Sequence, residues 1–299
     1  FLPDLYDLLG AAGGRQDERR RLMARMRQAF RWYLLTSTPI RTSPATGDSG
    51  YVPIEGLMKK GARQTGDGML LWPLRAELSD EERRSLPRPV PPPKTSVNLS
   101  SSGFACMRTG WEKGDLYMMI NYGPHGGGHT HNHTLDFELF AYGEGLALDT
   151  ARFDSYDNPL DARFRCARSH NQVVVNDADM DRVGLRVSDV TWRSGEGCDF
   201  FAASHDGYLA SHGVVISRKV VFVKPHYWLV SDLVEERQRH HCYTWFLHSP
   251  LRFRQRPDGA FVAGKGPGLL IVPARPEEIR HMCQGVGYSR RDWRVPGMF

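Results

Sequence analysis

Val214-Val-Ile-Ser-Arg-Lys-Val-Val-Phe-Val223 and Trp228-Leu-Val-Ser-Asp-Leu-Val234 set the fold class. Both runs are crowded with β-branched and aromatic residues, and Pro225 sits in the short break between them, which is the pattern of two strands and a turn. The same texture extends upstream through Gly103-Phe-Ala-Cys-Met-Arg108, Asp115-Leu-Tyr-Met-Met-Ile-Asn121, Leu135 to Tyr142 and Gln172-Val-Val-Val-Asn176, with Gly, Asn, Asp or Pro between the runs. No long helical period interrupts them. A mainly β chain built on a large antiparallel β-sandwich is therefore expected, rather than α/β.

The first third has a different texture. Leu22, Met26, Ala29, Phe30 and Tyr33 recur at helical spacing and mark one buried face, with Arg20, Arg27 and Arg31 opposite. Thr38-Pro39 and Ser43-Pro44 end that helix. A second helix is expected around Leu57, Met58 and Ala62. Ser79 followed by Asp80, Glu81 and Glu82 has the form of an N-cap with acids in the first turn. Five prolines between Pro87 and Pro93 make a stiff extended linker. The expected organisation is a helical segment over 1–86, a Pro-rich linker over 87–95 and an antiparallel β-sandwich domain over 96–299.

The 299 residues carry a formal net charge of +5, which suits an anionic partner without choosing among acidic sugar, nucleic acid and membrane surface. No apolar run approaches the roughly 20 residues that span a bilayer, and no nucleic-acid motif accompanies the charge. The opening Phe1-Leu-Pro-Asp-Leu-Tyr6 lacks a basic n-region, so an internal or processed start is expected. Cys106, Cys166, Cys198, Cys242 and Cys283 form no Cys-x-x-Cys pair, which argues against a cysteine zinc site and for small core residues.

The densest chemical signal is Gly126-Gly-Gly-His129-Thr-His131-Asn-His133-Thr-Leu-Asp136-Phe-Glu-Leu139. On a strand the three histidines would share one face. Imidazoles with a carboxylate suit a divalent metal, zinc above all. A turn at Gly143-Glu-Gly145 would return Leu146-Ala-Leu-Asp149 antiparallel and bring Asp149 beside them, and Arg168-Ser-His170 supplies a third candidate ligand. Spacing alone leaves a functionless surface cluster, or histidines satisfied by core hydrogen bonds, equally open. Asp136 is a further candidate ligand, but reads better as a support of the strand or an outer partner of the ligands. His125 reads as a loop residue, and His240, His241 and His248 as packing residues beside Tyr243-Thr-Trp-Phe246. Tyr156, followed in its loop by Arg163, Arg165 and Arg168, forms a recognition pattern for a carboxylate or sulfate. A solvated basic loop is the plain alternative.

In order, His129-Thr-His131, Phe137-Glu-Leu139, Gly143, Leu148-Asp149, Tyr156 and Arg168-Ser-His170-Asn-Gln-Val173 resemble the heparinase II/III-like family of polysaccharide lyases, over about residues 96–235. The resemblance implies the end of an (α/α) toroid followed by a supersandwich-like β domain. It also implies β-elimination on uronic-acid glycans of the heparin, heparan sulfate or alginate type. Carried over position by position, it implies that His131, Asp149 and His170 hold a structural zinc ion, that His129 faces the substrate cleft and that Tyr156 is a cleft tyrosine. Two departures matter. His133 stands where the family often has an acid, and the helical stretch before Pro87 is too short for the whole toroid, where further catalytic residues belong.

The chain is thus expected to be the C-terminal part of a longer lyase, periplasmic or secreted by its substrate class. Catalysis is expected from Tyr156 and His129, with Arg163, Arg165 and Arg168 binding acidic substituents. The expected partner is an anionic polysaccharide or oligosaccharide, not nucleic acid or membrane, with a homodimer as the assembly to test. Two rival readings remain: a non-catalytic, metal-stabilised carbohydrate-binding β-sandwich module, and a metal-dependent hydrolase or cupin-like enzyme. Against the second, Glu138 would lie on the opposite strand face from His131.

Overall fold

The computed structural model describes residues 16–123, 127–151, 157–237, 241–264, 266 and 268–279, and the backbone of 284–288 and 294–298. Helix α1 (Gln16–Thr36) carries Asp17 and Glu18 in its first turn and buries Leu22, Met26, Phe30 and Leu34. The expected face is corrected at its end. A stripe stepping four residues at a time reaches Leu34, which is buried, and leaves Tyr33 exposed. Helix α2 (Glu55–Thr65) packs Met58 and Ala62 into the same core. Helix α3 (Asp80–Ser85) is held by a capping box. The Ser79 hydroxyl accepts from the Glu82 amide at 3.2 Å, and the Glu82 carboxylate accepts from the Ser79 amide at 3.0 Å. Residues 87–95 contain neither helix nor strand.

The rest is mainly antiparallel β structure. Strands β1 (Val97–Leu99), β2 (Phe104–Arg108), β3 (Tyr117–Asn121), β4 (Asp136–Ala141) and β5 (Glu144–Ala147) form a five-stranded meander in chain order. Helix α4 (Asp161–Arg165) and strand β6 (Val173–Val175) follow. Strands β7 (Val187–Ser194), β8 (Cys198–Tyr208), β9 (Val214–Val223) and β10 (Tyr227–Glu236) make a four-stranded sheet in the order β10-β9-β8-β7. Strand β11 (Tyr243–Trp245) pairs with β6, and β12 (Phe253–Gln255), β13 (Phe261–Ala263) and β14 (Leu269–Ile271) form a small sheet.

The two larger sheets share one core, as a sandwich requires. Met107, Met118, Ile120, Phe137 and Leu139 of the first meet Phe201, Ala203, Val220 and Phe222 of the second. Alternation puts Cys106, Tyr117, Met119 and Phe140 on the opposite face of the first sheet. That face receives the end of α1. The Tyr117 hydroxyl donates to the Thr36 carbonyl at 2.6 Å, and Arg108 donates to the carbonyls of Leu35 at 2.8 Å and Ser37 at 3.1 Å. Strand side chains therefore satisfy carbonyls that the helix end leaves unpaired. Each buried polar group stripped of its partner costs about 1–3 kcal/mol. Arg108→Met is expected to lower stability by about 2–5 kcal/mol, read as a fall in the urea midpoint.

Of the described cysteines, Cys106 is buried, but Cys198 and Cys242 are exposed. They stand at the entry to β8 and just before β11, so the expectation of core cysteines is corrected there. No helix among the described residues is long and apolar enough to cross a membrane.

Candidate metal centre and cleft

Residues 127–135 form an irregular loop into β4, not the expected strand. Gly127 (φ 85°) and Leu135 (φ 57°) adopt left-handed backbone, which breaks the two-residue alternation. The three histidines accordingly diverge. The His129 side chain is 82% exposed, with Nδ1 2.8 Å from Asp48 Oδ2. His131 is buried, with Nε2 3.0 Å from Oδ1 of the same carboxylate. His133 is buried, with Nδ1 3.2 Å from Asp136 Oδ2.

The chain returns antiparallel as expected, but the turn is Tyr142-Gly143 and not Gly143–Gly145, because Glu144 and Gly145 already pair with β4. Tyr142 (φ 55°) and Gly143 (φ 83°) are both left-handed, the two-residue turn whose twist matches antiparallel strands. Strand β5 then runs back along β4, and Asp149 Oδ2 comes to 2.6 Å from His170 Nδ1. The residues after His170 hold this corner. Asn171 donates to the carbonyls of Phe137 at 2.8 Å and Leu148 at 3.2 Å, and accepts from the His248 amide at 2.6 Å. Gln172 accepts from the Thr134 amide at 3.0 Å and donates to the Asn132 carbonyl at 2.9 Å.

Arg218 of β9 pins the loop into β4 and the turn before β6 from the second sheet. Its Nη1 donates to the carbonyls of Leu135 at 2.6 Å and Asn171 at 2.8 Å. Its Nε and Nη2 grip Asp232 at 2.7 and 2.8 Å. The side chain is 1% exposed. Breaking a buried pair of this kind costs about 3–5 kcal/mol. Arg218→Met is therefore expected to lower the Tm by roughly 6–20 °C, at about 2–4 °C per kcal/mol for a domain of such size, and to loosen the histidine corner.

His133, Asp136, Asp149 and His170 are all buried and offer ligand atoms within 4.8 Å of one another. The His131 ring adjoins them, 5.4 Å from that of His170 and 6.0 Å from that of His133. His131 Nδ1, His170 Nε2 and Asp136 Oδ1 are buried without a hydrogen-bond partner among the described residues. The other nitrogen of both imidazoles meets a carboxylate, which is how metal-ligating histidines are oriented. Burial, helped by the neighbouring His170, lowers the pKa of His131 to about 4. Burial and His133 push His170 well below its usual value. Both are then neutral at pH 7, the form that binds metal. Burial alone would depress His133 as well, but Asp136 and Asp149 together outweigh it and the pKa is raised. Burial raises Asp149 against the pull of His133 and His131. A buried cluster of lone pairs and carboxylates is costly when left uncompensated, and the residues fit a metal ion.

The basic segment is not the loop that was expected, because Arg163 and Arg165 lie in α4 and Arg168 in the helical turn Ala167–Ser169, and its arginines divide. Arg165 donates to Asp48 at 2.9 Å and to the Gly128 carbonyl, and Arg168 pairs with Asp177, while Arg163 is exposed. His248 has the packing role expected of it, buried with Nε2 2.9 Å from the Arg168 carbonyl. Tyr156, His125 and His240 lie outside the described residues. Sequence reading missed Asp48 and gave His133 and Asp136 lesser parts.

The heparinase II/III-like, C-terminal family profile matches residues 91–292. The heparin-sulfate lyase of Pedobacter heparinus is 27% identical over 141 residues, which are 46% of this chain and 21% of that protein. A heparinase III gene product of known structure superposes with a TM-score of 0.76 at 16% identity, over 93% of this chain and 43% of its own. A mutant of heparan sulfate lyase HepC from Pedobacter heparinus superposes with a TM-score of 0.72 at 19% identity, over 89% and 42%. At such identities the structures speak for the fold. The chain spans about a fifth of the length of the curated relative and less than half of these two structures. Since the family match covers more than half of its residues, the chain belongs to the heparinase II/III-like family and carries that family's C-terminal domain.

Proposed function

We propose that the chain is the C-terminal part of a polysaccharide lyase that cleaves uronic-acid glycans, of the heparin or heparan sulfate type or alginate, by β-elimination. The observation that carries this reading is His129, an exposed imidazole held by a buried carboxylate at the rim of a buried His/Asp cluster, in a chain of this family. In the proposed reaction a base removes the C5 proton of the uronate. Its electron pair forms the C4–C5 double bond as the C4–O bond breaks, and the departing oxygen takes a proton from an acid. The C5 proton is weakly acidic, so charge developing on the uronate carboxylate must be neutralised. Tyr156 serves as base once deprotonated and then as acid. His129 lines the cleft beside the carboxylate. Arg163 meets acidic substituents, with Arg165 and Arg168 flanking it.

His131, Asp149 and His170 would hold zinc, which when bound supplies a structural cross-link among the histidine loop, the end of β5 and the turn before β6. Residues 1–86 are read as the end of an (α/α) toroid whose upstream part completes the active site. A glycan substrate of this class places the protein in the periplasm or outside the cell. The test is an assay of the full-length protein on heparan sulfate, heparin and alginate. Ultraviolet absorbance of unsaturated uronate is expected to rise on at least one. Binding without any rise would replace the lyase by a carbohydrate-binding module.

A further inference from the structure

Asp48 precedes the β domain by half a hundred residues of sequence distance, yet it reaches into the histidine loop, 81 positions from His129. Its carboxylate is 7% exposed and, among the described residues, meets His129 Nδ1 at 2.8 Å on Oδ2, and His131 Nε2 at 3.0 Å and Arg165 Nη1 at 2.9 Å on Oδ1. The backbone is tied at the same point, because the Asp48 amide donates to the His129 carbonyl at 3.0 Å. Gly47 makes that approach possible. It has φ 55°, and a Cβ there would sit 2.3 Å from the His129 carbonyl oxygen. The same loop docks twice more. The Ala45 amide donates to Glu138 at 3.0 Å, and the Tyr51 hydroxyl accepts from the Asp149 amide at 3.1 Å.

We propose that Asp48 is a positioning residue for the lyase reaction, one carboxylate that sets both the cleft histidine and a metal-ligating histidine. The proposal rests on the lyase reading of His129 and the ligand reading of His131. Hydrogen bonds from His129 Nδ1 and His131 Nε2 to one carboxylate fix the two rings as opposite tautomers, with the lone pair on Nε2 of the first and Nδ1 of the second. The second of these is the buried nitrogen that lacks a partner among the described residues. Arg165 balances the carboxylate charge and so is a structural arginine before it is a substrate ligand.

The test uses full-length, zinc-loaded protein and Asp48→Asn, which keeps the shape but cannot accept from both imidazoles. Outer partners of this kind are worth about 10–100-fold. The variant is expected to lose about 10–100-fold in kcat with KM changed less than about threefold, and to release zinc to a chelator about 10–100-fold faster. Adding Asp48→Asn to His129→Ala should cost much less in kcat than it does alone, because the carboxylate then has no cleft histidine to set and only the His131 contact is left to lose. Unchanged kcat and zinc release, or an equal extra loss in the His129→Ala background, overturns the proposal. Should wild-type protein cleave no glycan, the lyase reading fails, and zinc release still decides the His131 half. Should Asp48→Asn not fold, imidazole nitrogen NMR of wild-type protein decides instead. Protons on His129 Nδ1 and His131 Nε2 uphold the proposal, and the reverse tautomer of either ring overturns it.

Discussion

Substitution of His131 or Asp149 by alanine is expected to yield protein without zinc, whereas the wild-type chain should purify with it in stoichiometric amount. Removing one of three protein ligands should weaken binding well beyond the roughly 10–100-fold that loss of an outer hydrogen-bond partner costs. The site without its ion leaves buried carboxylates and imidazoles uncompensated, so both variants should also melt at lower temperature. Their Tm should respond little to a chelator that lowers the wild-type Tm. The informative comparison is His133→Ala. Its Nδ1 already faces Asp136, and Asn121 Nδ2 stands 3.4 Å from both ring nitrogens, while His131 Nδ1 has no such partner among the described residues. His133→Ala is thus expected to keep its zinc at reduced stability. Elemental analysis of the purified variants checks all three. Unchanged metal in His131→Ala and Asp149→Ala would sink the ligand set, and loss in His133→Ala would move it to the His133, Asp136, Asp149 and His170 cluster.

The sandwich was legible in the sequence where strands are apolar on the inward face, and obscure where they are not. Strand β8 alternates between buried and partly exposed positions, but Asp199 and His205 occupy inward places. Asp199 is tolerated there because Ser96 donates to it at 2.6 Å, Ser194 at 2.5 Å and Lys224 at 2.8 Å, a satisfaction that no local pattern announces. Strand β7 is exposed along most of its length and so lacks the hydrophobic period that marks a strand. Arg218 was visible in principle. It interrupts the inward series Val214, Ile216, Val220 and Phe222, and an arginine on that face requires buried acceptors.

The candidate site divides in the same way. Residue types and turn chemistry pointed to Asp149 and His170, which the structure brings within hydrogen-bond distance. The direction of each loop histidine was hidden, because Leu135 takes a left-handed backbone that no β-propensity foretells. Asp48 left only the turn-like Thr46-Gly47-Asp48-Ser49 as a trace. Its role arises from tertiary contact alone.

In full-length protein Tyr156→Phe is expected to lower kcat by about 10²–10⁴-fold, the usual worth of a positioned proton-transfer group. The phenyl ring keeps the ring's size and removes only the hydroxyl, so KM, zinc content and Tm should stay close to wild type. That pattern separates chemistry from scaffold. His131→Ala should lose activity together with metal and stability, whereas Tyr156→Phe should lose activity alone. The comparison matters because the proposed metal is a brace. If zinc only holds the histidine loop against its neighbours, the rate must depend on side chains that reach the sugar, and removing one oxygen from such a side chain must show in kcat. Full activity in Tyr156→Phe would take the proton transfer away from this tyrosine and assign it to groups upstream of the β domain, leaving His129 as this chain's contribution to the cleft.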